Sequence, residues 1–397
     1  MNSSSVSSFE TTEYPTSVSS SSSETTEIAV QAVVAAVGVL LSVLTIVGNV
    51  LVLIAFKTDK ALQTAPNCFL LSLACADFLI GLVSMPLSLV YILAAEWPLG
   101  PLLCDVWLAV DYLNSNASVL NLLLISFDRY FSVTRPLTYR ARRTTRRACA
   151  LIAAAWLVSA LLWPPWIFAW PAIEGRRTVP RDQCYIPFLE SNAVVTVATA
   201  LVAFWLPVSL MCFLYFRIWR ETENRFRDLA LVLTPPPSRP VASCFGRKTV
   251  PPPSDSIYTI VIHLDAASDG NATVTMLGSE DEERPQSCSR LPALQPKSER
   301  KAAKTLSAIL AAFVVTWTPY NVLVLIKTFS PTSVDSDGVW WQFAYSLCYI
   351  NSTLNPLLYA LCNRSFRNTY VRILTCRTRT TRRTTHTMGR HADDALK

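Results

Sequence analysis

Charge is scarce in this chain of 397 residues. Only 16% are Asp, Glu, Lys or Arg, where a soluble domain carries about a quarter. Mean hydropathy is +0.32. No Lys or Arg lies inside any of the long apolar runs, and residues 1–27 contain none either. Histidine is almost absent, with only His263, His386 and His391. No Cys/His cluster has the spacing of a metal site. No period of 20–50 residues repeats, and no inverted repeat suggests a transporter. The first apolar run follows a polar leader and is too long for a cleavable signal peptide, so it reads as a signal anchor.

What remains is apolar sequence in long stretches. They run Ile28–Phe56, Asn67–Leu93, Leu102–Phe127, Ala148–Trp170, Ala193–Phe216, Leu306–Ile326 and Val339–Leu361. Each has the roughly 20 residues that a helix needs to cross a bilayer. Lipid offers the backbone no partners, so each must be helical. The expected fold is an all-α membrane protein, a bundle of seven transmembrane helices. Positive charge gathers after the third run, at Arg129, Arg135, Arg140, Arg142, Arg143, Arg146 and Arg147, and again beyond Leu361. That places the N-terminus outside and the C-terminus in the cytoplasm. Arg176, Arg177 and Arg181 are a mild exception on the outside. The net charge of +7 reads as loop charge facing anionic membrane lipid, and no nucleic-acid partner is expected.

The chain divides into a disordered extracellular leader (1–27), helices one to five (28–224), a flexible cytoplasmic third loop (225–300), helices six and seven (301–361) and a cytoplasmic tail with a short amphipathic helix (362–397). Pro235–Pro237 and Pro251–Pro253 rule out long helices in the loop. Asn2 heads a glycosylation sequon on the outer side. Cys376 stands in a basic stretch suited to palmitoylation.

Two carboxylates, Asp77 and Asp111, are the acids well inside these runs. Such a group costs about 2.5–3.5 kcal/mol on insertion scales, which marks each as a functional-site candidate. Cys104 and Cys184 are the two thiols at the oxidising outer face, so a disulfide is expected. Cys104 to Asp111 is two helical turns, about 10 Å, with Ser115 one turn deeper on the same face. Asp111 to Arg129 is five turns, about 27 Å. One rod thus joins an outer anion to an inner cation. Tyr112, Trp317, Tyr320, Trp341, Tyr345 and Tyr349 offer rings at matching depth. Rings around a carboxylate suit a quaternary ammonium, which makes no ordinary hydrogen bond and relies on cation–π attraction. Asn321 offers a polar contact for an ester or carbonyl.

These residues resemble the rhodopsin-like G-protein-coupled receptors. The markers are Gly48-Asn49, Leu73-Ala74-Cys75-Ala76-Asp77, Asp128-Arg129-Tyr130, Trp156, Pro207, Phe313–Pro319 and Asn355-Pro356-Leu357-Leu358-Tyr359, one set in each span. Within that family, Ser115–Ser118, Leu122–Tyr139, Trp317–Asn321 and Cys348–Thr353 are similar to the muscarinic acetylcholine receptors. The resemblance implies acetylcholine as ligand and no enzymatic activity. Asp111 would pair with the choline nitrogen. Tyr112, Tyr320 and Tyr345 would form a lid above Trp317 and Tyr349, and Asn321 would meet the ester. Ser115, Asn116, Trp163, Thr196, Thr199, Ala203, Phe204 and Cys348 would line the remainder. Arg129, held by Asp128 when inactive and flanked by Tyr130, would swing toward Tyr215 and Tyr359 on activation, with Phe313 and Trp317 beside Pro319 transmitting the motion and Asn355 and Pro356 belonging to the same switch. Asp77, Ser118, Asn351 and Asn355 resemble a buried pocket for an allosteric sodium ion; a packing network without an ion is the other reading.

The family's usual cysteine pair in the last outer loop is missing between Phe329 and Val339. Lys301–Ala308 resembles the odd-numbered subtypes, which implies Gq-class G proteins and phospholipase C, with arrestin and receptor kinases as further partners and a synaptic plasma membrane as location. Two alternatives stay open: a Gi-coupled muscarinic subtype and another amine receptor of histamine type. An opsin is excluded by the lack of lysine in Val339–Leu361.

Overall fold

The computed structural model describes residues 18–233, 259–264, 272–277, 296–333 and 338–375. Asn2, Cys376 and most of the third cytoplasmic loop lie outside the described residues. Seven long helices form the bundle. The first is Val18–Thr58. The second, third and fourth are Ala65–Ala94, Gly100–Thr134 and Thr145–Ile173. The fifth begins at Ala193 and ends at Leu233. The sixth is Pro296–Phe329 and the seventh Val339–Cys362. Short helices Pro136–Arg142 and Arg364–Leu374 lie at the end of the bundle that carries Asp128-Arg129-Tyr130. Thr259–Leu264 and Ala272–Leu277 pair as an antiparallel hairpin inside the loop read from sequence as irregular. Both are six-residue runs rich in β-branched side chains, which favours extended backbone.

Six of the seven helices are long and apolar enough to cross a bilayer by themselves. The seventh has the length, at 24 residues, but Asn351, Ser352 and Asn355 dilute its hydropathy. All three are buried, so its polar groups face the bundle and lipid does not meet them. The opposite pattern holds outside: Val33, Leu40, Val47, Leu161, Leu206 and Val315 are exposed, as a lipid-facing belt requires.

Prolines shape the helices where they bear on the site. Pro86 and Pro207 each follow a single π turn, Ile80–Ser84 and Leu201–Trp205. Proline lacks an N–H and clashes with the carbonyl four residues back, and a π turn absorbs both faults. Pro164 restarts the fourth helix after a break at Trp163. Pro319 and Pro356 sit inside the sixth and seventh helices.

Polar contacts join the helices inside the bundle, as expected where lipid removes the hydrophobic drive between helices. Ser42 donates to the Gly81 carbonyl at 2.7 Å. Asn49 donates to the Ser352 carbonyl at 3.1 Å, and Trp156 donates to Ser72 at 2.9 Å. Gly48 lets the first and seventh helices approach, since a Cβ there would meet Pro356 Cγ at 3.1 Å.

At the end opposite Asp128-Arg129-Tyr130, Cys104 and Cys184 form the expected disulfide. Arg177, one of the outer arginines, is neutralised by Asp105 at 2.7 Å. At the cytoplasmic end Asp59 accepts from Thr369 at 2.8 Å and from the Ala61 N–H at 3.1 Å, with Arg372 at 3.4 Å. Phe366, Thr369 and Tyr370 are buried while Arg367, Val371 and Leu374 are exposed. Helix Arg364–Leu374 is therefore amphipathic, as expected, and is pinned by Asp59.

Candidate functional site

Between the third, fourth, fifth and sixth helices, at the end of the bundle that carries the disulfide, lies a narrow, partly open cleft. The third helix contributes Tyr112, Ser115, Asn116 and Val119, and the fourth contributes Trp163. Thr196, Thr199, Ala200, Ala203 and Phe204 come from the fifth, and Trp317, Tyr320, Asn321 and Val324 from the sixth. Ile186, Phe188 and Leu189 close it from the outer loop. The disulfide holds that loop in place two residues before Ile186. Apolar carbon dominates these walls, and the polar atoms are few.

Most of those few are already engaged. Thr196 donates to the Phe188 carbonyl at 2.9 Å and Thr199 to the Val195 carbonyl at 2.8 Å. A hydroxyl has one proton, so neither offers a free donor. Asn116 donates to Ser159 at 2.8 Å. Asn321 donates one amide hydrogen to the Trp317 carbonyl at 3.0 Å, which leaves its second hydrogen for another partner.

Asp111, Tyr345, Cys348 and Tyr349 do not line the cleft; they pack directly behind it. Asp111 is 3% exposed and accepts from the Tyr345 hydroxyl at 2.5 Å. Ser84 and Tyr349 are neighbours of the same carboxylate, yet Oδ1 of Asp111 makes no hydrogen bond of ordinary geometry among the described residues. The rings connect the two spaces. Tyr112 and Tyr320 share a hydroxyl–hydroxyl bond of 2.6 Å. Tyr320 meets Tyr345 edge-on at 5.2 Å, and Tyr345 meets Tyr349 at 5.4 Å. Tyr112 stands 4.6 Å from Trp163. Asp111 thus lies behind the cleft wall, linked to it through the Tyr345 ring, which packs edge-on against Tyr320.

Below the cleft, Phe313 contacts Trp317 at 5.8 Å and Phe204 at 6.1 Å. Deeper still, Asp77 is fully buried. It accepts from Asn355 at 2.7 Å, Ser352 at 2.8 Å and Ser118 at 3.3 Å. Ser352 takes the place expected for Asn351, because the helical phase aims residue 352 at the second helix. Asn351 is buried, and its Oδ1 is without a partner among the described residues. Carboxylate and hydroxyl oxygens are the donor type a hard cation needs, so Asp77, Ser118 and Ser352 fit a sodium ion, with the Asn355 amide holding the carboxylate.

The cytoplasmic end departs from expectation in one respect. Asp128 pairs with Arg143, and Tyr139 donates to it at 3.0 Å. Arg129 does not hold it. The segment after Pro136 brings Tyr139 and Arg143 to the carboxylate. Tyr130 lies against Phe131 at 5.4 Å. Tyr215 and Tyr359 border a small inner cavity with Ser126, Ile125 and Met211, and Tyr359 meets Phe366 at 6.2 Å.

Sequence reasoning missed Ile186, Phe188, Leu189, Ser352, Tyr139 and Arg143. The short step from Cys184 to Ile186 was the available signal for the loop residues. The arginine cluster gave no signal for Arg143, since any member could have turned inward.

The pattern of the 7 transmembrane receptor (rhodopsin family) matches residues 48–359. Human muscarinic acetylcholine receptor M1 is 43% identical over 85% of this chain and 88% of its own length. The M5 receptor of Macaca mulatta is 38% identical over 87% of this chain and 90% of its own. The DM1 receptor of Drosophila melanogaster is 65% identical over 49% of this chain and 24% of its own. Seven helices, the outer disulfide and these similarities together place the chain in the rhodopsin family of seven-transmembrane receptors, on its muscarinic branch close to the odd-numbered subtypes, and not among enzymes.

Proposed function

We propose that this chain is a plasma-membrane receptor for acetylcholine, with its N-terminus outside, that acts mainly through Gq-class G proteins and phospholipase C. The observation that carries the reading is Asp111. Among the described residues it is the carboxylate well inside the spans on the disulfide side, it accepts one hydrogen bond, and four tyrosines surround it. A quaternary ammonium needs no hydrogen bond, so it leaves the Tyr345–Asp111 bond intact and binds through ring faces and the carboxylate's field. At low dielectric that field reaches across a ring. A primary amine must instead compete with Tyr345 for the carboxylate. The spent hydroxyls of Thr196 and Thr199 also disfavour a catechol or histamine ligand.

Asn321, with its free amide hydrogen, meets the ester. Ligand shifts the bundle between two conformations by binding one of them better, and Phe313, Trp317 and the prolines beside them carry that shift inward. Asp77 with Ser118, Ser352 and Asn355 holds an allosteric sodium ion in the resting form. Lys301–Ala308 supports the Gq class. Arrestin and receptor kinases are the expected regulators, and a synaptic membrane the expected location. Calcium release in transfected cells on acetylcholine tests the whole reading. A fall in cyclic AMP without calcium moves the chain to the Gi class. Silence in both, with response to histamine, overturns the ligand.

A further inference from the structure

Asp128 stands beside Arg129 in the last two turns of the third helix, and its carboxylate is engaged by residues of the segment that follows the helix. Arg143 engages both oxygens, with Nε on Oδ1 at 2.7 Å and Nη2 on Oδ2. Tyr139 adds its hydroxyl to Oδ1 at 3.0 Å. The Arg143 guanidinium also lies 5.8 Å from the Tyr139 ring centroid. A carboxylate has about four lone-pair sites, and three are taken. The planar fork of arginine fits a carboxylate in a way no single ammonium does. Burial and the neighbouring Asp128 charge push the Tyr139 phenol up to about 12, so it stays a donor at every physiological pH.

Arg129 makes no ion pair with Asp128 among the described residues, although the two charges are near enough to act on each other. Its Nε is buried and has no hydrogen bond among the described residues. Its charge is felt by Tyr215, a residue of the inner cavity. We propose that Arg143 is a positioning residue for coupling: by holding Asp128, it keeps Arg129 available to the cytoplasmic cavity. Two arginines compete for one carboxylate, and the geometry of the turn after Pro136 decides between them. Loss of Arg143 returns Asp128 to Arg129 and lowers coupling. This rests on the receptor reading above, but its test does not need the ligand to be right.

The experiment measures nucleotide exchange on purified Gq and Gi heterotrimers by receptor-containing membranes, with and without acetylcholine. The variants are Arg143→Gln, Asp128→Asn and the double substitution, each normalised to receptor amount by immunoblot of an epitope tag. Arg143→Gln is expected to lower ligand-independent exchange and raise the half-maximal acetylcholine concentration about fivefold, a modest population shift. In the Asp128→Asn background the same change does nothing further, because no carboxylate remains to compete for. Arg143→Lys, a point charge without the fork, falls between. An equal effect of Arg143→Gln in both backgrounds, or a rise in basal exchange, overturns the proposal. If Arg143→Gln does not reach the membrane, Arg143→Lys and Tyr139→Phe decide, both expected to lower exchange; a rise in either overturns it. Wild-type basal exchange that drops on Arg143→Gln while acetylcholine does nothing would refute the ligand and leave this proposal standing.

Discussion

Asp77 and Asp111 are both carboxylates buried inside the bundle, and their surroundings differ. Asp77 accepts three side-chain hydrogen bonds from two helices. Asp111 accepts one, from Tyr345, and its second oxygen is left without a regular bond. A buried anion short of donors is costly, whereas a satisfied one fastens helices together. The inner acid therefore reads as a knot in the scaffold and the outer acid as half of an interaction that a cation completes.

Substitutions can break this comparison, and the largest effect belongs to Asp111. Asp111→Asn keeps shape and removes charge; affinity for a quaternary-ammonium antagonist should fall at least about 100-fold, roughly 3 kcal/mol, at unchanged surface expression. Saturation binding on intact cells measures both. Asp77→Asn should leave antagonist affinity within about threefold but abolish its dependence on sodium and reduce acetylcholine-driven calcium release. If Asp77→Asn weakens antagonist binding as much as Asp111→Asn does, the division of labour is wrong. Tyr345→Phe removes the one donor to Asp111 and keeps the ring. A charge-assisted bond is worth about 1.5–3 kcal/mol; most of that orders the empty site, so a loss of about tenfold in acetylcholine potency is expected.

A third carboxylate, Asp59, gives the smallest effect. Burial raises its pKa, but hydrogen bonds from Thr369 and the Ala61 N–H, with Arg372 nearby, outweigh that and hold it below the ordinary 3.8. A depressed carboxylate stabilises the fold above its unfolded pKa and loses that contribution as pH falls through its folded one. Asp59→Asn should lower the melting temperature of purified receptor by a few degrees at pH 7, and the difference should shrink below about pH 4.

The bundle was legible because span length and loop charge are physical requirements of a bilayer. Asp111 was legible because nothing basic lies at its depth. Tyr112, Trp317 and Tyr320 followed from helical spacing and do face the cleft. Tyr349 followed from its one-turn spacing to Tyr345 and Cys348 from the family resemblance, and both pack behind the cleft. Phe188 and Leu189 depend on where a disulfide carries a loop, and Arg143 on the path of a turn. Neither has a periodicity to read. The seventh helix shows the converse: hydropathy alone understates it, and only the inward phase of Asn351, Ser352 and Asn355 explains how it crosses lipid.

The central claim is that Asp111 recognises positive charge through a wall of rings. It is tested most directly by comparing a quaternary-ammonium antagonist with its uncharged carbon isostere, on wild type and on Asp111→Asn. The account predicts a preference for the charged ligand of about 100-fold or more on wild type that vanishes in the variant. A preference that survives the loss of the carboxylate would contradict it.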